Sequence, residues 1–275
     1  MVCQNAYDLK LEDDGELRFY TTSWNLPSGR DGPNGPLELV DGGQGNVNQN
    51  IYSCNSDGTG VTSYPTSSTR VGKFTYHPDH DHIHYDDYAD YTATQQCVNG
   101  NSPRVRTGDK VSFCIMDTDN VDFTVPGAPG SAQYTECKDS QGMSVGWGDT
   151  YKRSTPGQYV KLDGDVVDGP PTCWKLCINI NPGPGKLQEQ SPDDNECCMF
   201  LQFEGYGSTS FEEVASCSCN DEVEDLNIEA VNSEVLSSEI HGKCELFASF
   251  SRSCSFDALS HSCTYFVLLS LRRRR

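Results

Sequence analysis

Apolar and polar positions alternate through Leu9 to Trp24, where Leu17, Phe19 and Thr21 are separated by polar side chains. A period of two predicts β-structure, here two short strands around the turn Asp13-Asp14-Gly15. Leu26 to Gly45 reads as a Gly/Pro-rich loop with one apolar piece, Leu37 to Val40. Val47 to Tyr52 and Val71 to Tyr76 predict two more strands, flanking a Ser/Gly/Thr loop from Ser53 to Ser68. A histidine-rich segment follows at once, and Tyr85 to Thr94 continues it as extended chain. Val111 to Met116 predicts a compact apolar strand, and Gln158 to Leu162, Trp174 to Ile180 and Cys198 to Phe203 predict three more. No internal repeat is visible. The expected fold is all-β and loop-rich, resembling a β-sandwich.

The punctuation changes near Tyr206. Gly and Pro nearly vanish, while Ser and Glu rise. Glu212 to Glu245 is acidic, with Val223, Leu226 and Ala230 at helix-like spacing. The chain ends on Arg272 to Arg275, which reads as a solvated charge run. Residues 1–206 are therefore expected to form one domain, and residues 207–275 a poorly ordered acidic tail.

Bulk properties narrow this picture. Only 35% of the 275 residues are apolar, and there are 25 Gly and 14 Pro. Short strands with many turns and a modest core fit that composition better than long helices. The net charge of −20 argues against nucleic acid, whose phosphates need a basic face. It suits cationic partners such as amines and Lys-rich proteins, although solubility alone also accounts for it. No apolar run reaches membrane-spanning length; Tyr265 to Leu271 is far too short.

The 14 cysteines include no C-x-x-C pair. Cys173-Trp-Lys-Leu-Cys177 comes closest and lacks a partner pair, so disulfides in an oxidising compartment explain the count better than a thiolate zinc module. Met1 to Leu11 has neither a basic nor an apolar leader region, so no signal peptide is visible. Three explanations stay open: a truncated start, unconventional export, or reduced cysteines.

The densest chemistry lies in His77-Pro78-Asp79-His80-Asp81-His82-Ile83-His84, which holds four of the six histidines. Imidazole is the commonest metal ligand. His80, His82 and His84 alternate, so a strand would set them on one face as a three-ligand site with open positions. On a straight strand Cα80 and Cα84 would stand roughly 13 Å apart, near the limit for one shared ion. A bend or bulge near His82 is therefore expected. Asp79, Asp81, Asp86, Asp87 and Asp90 supply carboxylates able to orient imidazoles.

Four blocks, in order, resemble the lysyl oxidase family of copper amine oxidases over about residues 5–206. Leu17-Arg18-Phe19, Trp24-Asn25 and Gly35 to Leu39 look like its first strands. The histidines match H-x-x-H-x-H-x-H. Lys110 to Thr118 is similar to K-x-S-F-C-L-x-D-T. Gln141 to Tyr151 is similar to Q-G-x-S-x-G-x-x-D-T-Y, and Gly157-Gln158-Tyr159-Val160 then stands for C-Q-W-I.

The resemblance implies that His80, His82 and His84 bind copper. It also implies that Lys110 and Tyr151 form a lysine tyrosylquinone, the cofactor built from the protein's own side chains. A redox-active ion is needed to oxidise the Tyr151 ring, which favours copper over zinc. The implied reaction is oxidative deamination of a primary amine, peptidyl-lysine or a related one, by O2, yielding aldehyde, ammonia and H2O2. The catalytic base is open among Asp86, Asp87 and His77. An extracellular location is expected from the family and the cysteine count. Asp79 and Gly157 replace two cysteines of the animal enzymes, so at least one of their disulfides is absent and the partner of Cys114 is unassigned. These features resemble microbial or algal members. Two alternatives stand beside this reading: a non-catalytic metal-binding β module of a matrix or surface protein, and a zinc hydrolase, which leaves the Lys110 and Tyr151 blocks unexplained.

Overall fold

The computed structural model describes residues 1–27, 34–55, 60–78, 81–96, 102–110, 112–182, 187–189 and 191–218. The chain divides into a body, Met1–Val223, and a second unit, Glu224–Arg275, which lies outside the described residues. The helix-like spacing of Val223, Leu226 and Ala230, and His80 itself, also fall outside them.

The described strands are, in order, β1 (Val2–Cys3), β2 (Tyr7–Leu11), β3 (Glu16–Trp24), β4 (Leu37–Gly43), β5 (Asn46–Ile51), β6 (Ser67–His77), β7 (His82–Asp86), β8 (Ala89–Gln95), β9 (Val105–Thr107), β10 (Ser112–Phe113), β11 (Asp119–Asn120), β12 (Ser140–Met143), β13 (Trp147–Tyr151), β14 (Tyr159–Lys161), β15 (Thr172–Ile180), β16 (Glu196–Phe203) and β17 (Phe211–Val214). One four-residue helix, α1 (Asp165–Asp168), lies between β14 and β15. The all-β expectation is met.

The strands form three sheets. The first is centred on β3, with β1, β2, β13 and β14 paired to it and β11 beyond β13. The second runs β10-β7-β6-β5-β4-β12, and the third β17-β16-β15-β8-β9. Neighbouring strands in all three are antiparallel, so each can bury one face and solvate the other. Alternation does this in β8, where Ala89, Tyr91, Ala93 and Gln95 are buried and their neighbours are not. Phe19 of the first sheet, Leu39 and Tyr85 of the second, and Tyr91, Trp174 and Leu201 of the third meet in one apolar core.

Two strand expectations change. Tyr85 to Thr94 is not one extended run: Asp87 takes a left-handed conformation, φ 56°, and the chain leaves the second sheet there and enters the third at β8. Within Val111 to Met116 the described residues contribute only Ser112–Phe113 to a ladder. Beyond it the backbone finds other partners, the Ile115 N–H donating to the Gln141 side chain at 3.1 Å and the Asp117 N–H to the Tyr134 carbonyl at 2.8 Å.

The expected boundary at residue 206 also shifts. Residues 211–214 form β17, paired with Phe200–Phe203, and Cys217 is bonded to Cys173. The chain up to Cys217 is therefore fastened to the third sheet.

Candidate metal centre and lysine–tyrosine site

The β6–β7 hairpin carries the histidines. His77 pairs across from His82, and Thr75 from His84. Directly opposed residues share a face, as do alternate residues of one strand. His77, His82 and His84 therefore project from one side, while Ile83 and Tyr85 project from the other. β7 begins only at His82, and Asp81 before it is left-handed, φ 53°, which supplies the sharp change of direction expected near His82.

The Nε2 atoms of His82 and His84 face each other at 2.7 Å. Two imidazole nitrogens each about 2.0 Å from one ion stand about 2.8 Å apart when they subtend a right angle, so this donor pair fits a shared metal. Ser112 of β10 pairs across from Asp86 and shares the histidine face. Its hydroxyl lies 3.3 Å from Nδ1 of His84 and 3.3 Å from Nε2 of His77, so it can orient both rings, that of His84 through the nitrogen other than the one facing His82. A second cluster of potential ligands, Cys177, Glu196 and Cys198, does not fit a metal, because its two sulfurs are joined in a disulfide.

Lys110 precedes β10 in the chain. Its turn is held by the Gly108 N–H, which donates to the Tyr91 carbonyl at 2.8 Å. Tyr151 ends β13, opposite Thr21 of β3. Tertiary packing brings these distant residues together, with the Lys110 Nζ over the Tyr151 ring, 5.2 Å from its centroid, and 4.8 Å from that of Phe113. Phe113 meets Tyr151 edge-on at 4.8 Å. Cation–π attraction holds an ammonium in such a place, while burial pushes the Lys110 amine below its ordinary pKa and nearby Asp149 partly opposes this. Gly157, at φ 75°, lies against this lysine; a Cβ there would come 3.3 Å from the Lys110 Cβ.

The Tyr151 hydroxyl donates to the Cys114 carbonyl at 2.6 Å. Burial, reinforced by the charge of Asp149, holds this phenol well above its usual pKa. Asp149 sits two residues earlier on β13, hence on the same face, and is 2% exposed. Burial raises its carboxyl well above the usual range, against the Tyr151 hydroxyl, the Met116 N–H and Lys110, which favour its ionised form. Sequence reasoning left the catalytic base open among Asp86, Asp87 and His77 and did not single out Asp149, which the fold buries beside Tyr151. The i, i+2 spacing to Tyr151 was the available signal. Asp87 is exposed, and Asp86 accepts from Thr75 at 2.7 Å; both belong to the histidine strand.

Ser112 and Phe113 join the two constellations, because successive residues of β10 point to opposite faces. Ser112 touches the histidines and Phe113 touches Lys110 and Tyr151. Other motif residues hold this arrangement in place. Gln141, fully buried, donates to the Ile83 carbonyl at 2.8 Å and accepts from the Ile115 N–H, tying the histidine strand to the chain after β10. Asp117 accepts from the N–H groups of Gln133 and Ser144 and from the Ser144 hydroxyl. Gly142 is obligatory, since a Cβ would stand 2.1 Å from the Leu37 carbonyl oxygen. Cys114, whose partner the sequence left open, is bonded to Cys137, and the Cys137 carbonyl accepts from the Ile83 N–H at 3.3 Å.

The lysyl oxidase family profile matches residues 50–217, a span that includes the histidine hairpin, Lys110, Tyr151 and the sheet-bound stretch ending at Cys217. The chain belongs to the lysyl oxidase family, which points to an oxidoreductase acting on amines. The first block of the sequence resemblance, Leu17 to Leu39, lies before the matched span. Comparison with curated proteins and with solved structures gives no match. Four disulfides among the described residues and the family fit an extracellular protein. No helix among the described residues is long and apolar enough to cross a membrane.

Proposed function

We propose that the chain is a copper-dependent amine oxidase that converts a primary amine, peptidyl-lysine or a related amine, to an aldehyde. The overall balance is RCH2NH2 + O2 + H2O → RCHO + NH3 + H2O2. His80, His82 and His84 are the proposed copper ligands, and Lys110 and Tyr151 are the proposed parents of a lysine tyrosylquinone. Copper held there would supply one-electron chemistry with O2, and the quinone would act as the electron sink for the amine.

The observation that carries this reading is the Lys110 Nζ lying over the Tyr151 ring. A crosslink between two side chains 41 positions apart needs the fold to pre-pay the entropy of their meeting. Phe113 limits where the amine can go. Burial lowers the Lys110 pKa, which enriches the neutral, nucleophilic form over that of a solvated lysine. The Cys114 carbonyl fixes the tyrosine oxygen, and so the ring edge presented to the amine. Ser112 holds His84 with Nε2 turned to His82. The charge of −20 favours approach of a cationic amine or Lys-rich protein.

Peptide mass mapping of copper-loaded, aerated protein tests the proposal. A covalent Lys110–Tyr151 species is expected. Recovery of both peptides unmodified, with copper bound, would rule out the quinone and leave a non-catalytic metal-binding β module.

A further inference from the structure

Taking the quinone reading as its starting point, we propose that Asp149 is the proton acceptor for the Tyr151 hydroxyl during cofactor assembly. No phenol carbon becomes a carbonyl while its oxygen keeps the proton. The Tyr151 hydroxyl is bonded to the Cys114 carbonyl, and an amide oxygen accepts a hydrogen bond but is too weakly basic to keep a proton. The proton therefore needs a base inside the protein.

The ionisable groups around Asp149 reduce the choice to one. Tyr151, Lys110 and Asp117 act on its carboxyl, and Tyr88 and Tyr91 feel its charge. Lys110 must stay a neutral amine to add to the ring, and a proton taken from Tyr151 would remove that nucleophile. Tyr88 and Tyr91 are buried phenols with raised pKa values and carry their own protons. The Asp117 carboxylate is taken up by three backbone N–H groups and the Ser144 hydroxyl. Asp149 differs, because its Oδ2 is buried and has no hydrogen-bond partner among the described residues. A buried, incompletely bonded carboxyl is costly to keep, and packing alone gives no reason for an acid there.

The transfer balances simply. The Tyr151 O–H bond breaks and its electron pair stays on the tyrosine oxygen. A new O–H bond forms on the Asp149 carboxylate, giving a phenolate and a neutral acid. This is uphill while the ring is intact, since burial and Asp149 itself raise the phenol pKa. It becomes downhill as electrons leave the ring, because an oxidised phenol is a far stronger acid. The electrons go to the copper and O2 of the proposed function.

The test is the time course of the Lys110–Tyr151 crosslink after copper(II) is added in air to wild type, Asp149→Asn and Asp149→Glu, read by peptide mass. Asn keeps the shape and an oxygen for the Met116 N–H but cannot take a proton. Its crosslinking should be at least about 100-fold slower, the lower end of what a positioned base supplies, with copper stoichiometry unchanged. Glu restores a carboxyl and should crosslink faster than Asn. Should Asn fail to fold, Glu carries the test, expected to crosslink within about 100-fold of wild type. Asn within tenfold of wild type, Glu no faster than a folded Asn, or Glu below that limit where Asn does not fold overturns the assignment of Asp149. A wild type that never crosslinks instead overturns the quinone reading on which it rests.

Discussion

Replacing Tyr151 by Phe separates the structural work of this side chain from its chemistry. The variant keeps the ring that meets Phe113 at 4.8 Å and the surface under the Lys110 Nζ. It loses the hydroxyl that donates to the Cys114 carbonyl at 2.6 Å. One such bond is worth about 0.5–1.5 kcal/mol net, and leaving its buried acceptor unpaired brings the cost to roughly 1–3 kcal/mol. In a domain of this size each kcal/mol moves Tm by about 2–4 °C, so calorimetry should find a drop of roughly 2–12 °C. Copper binding should be unchanged, because the histidines lie on the other face of β10. Amine-dependent H2O2 release should fall to background. Lys110→Arg keeps a cation over the same rings but offers no neutral amine, and it should be equally inactive. The double variant should be no worse than either single one, since a covalent cofactor needs both parents. Substantial turnover by Tyr151→Phe would refute the reasoning.

Competitive copper titration should show that His82→Ala and His84→Ala lose most binding, whereas His77→Ala, whose Nε2 is engaged with Ser112, loses less; equal losses would put His77 among the ligands. A chain ending at Tyr206 lacks β17 and the Cys173–Cys217 disulfide, worth about 2–4 kcal/mol, so its urea midpoint should lie below that of a chain ending at Ser218, and matching midpoints would detach this segment from the fold. Asp149 carries a carboxyl raised from its ordinary 3.8, so the folded state binds that proton more tightly than the unfolded state does. Its ionisation therefore costs stability as pH rises above about 4; Asp149→Asn should melt higher than wild type at pH 8 and equally near pH 3.5, and a gain at low pH instead would reverse the sign.

The strands flanking the site were legible because period-two alternation is local: Leu17 and Phe19, or Val47 and Val71, declare a buried face from their neighbours alone. The residue types of the site were equally legible, since His82, His84, Lys110 and Tyr151 are defined by chemistry and spacing. The sequence could not say that residues 85–94 serve two sheets, because the turn at Asp87 is a backbone conformation dictated by where β8 must pair. Nor could it say that Phe211–Val214 is a strand, since half its residues are acidic and its partner lies eight residues upstream of it in β16. Only tertiary packing set the Lys110 amine on the Tyr151 ring, joined Cys114 to Cys137, and buried Asp149 with one oxygen unpaired among the described residues. Each depends on contacts between segments far apart in the chain, and local pattern carries no information about the distance or solvent that such contacts impose.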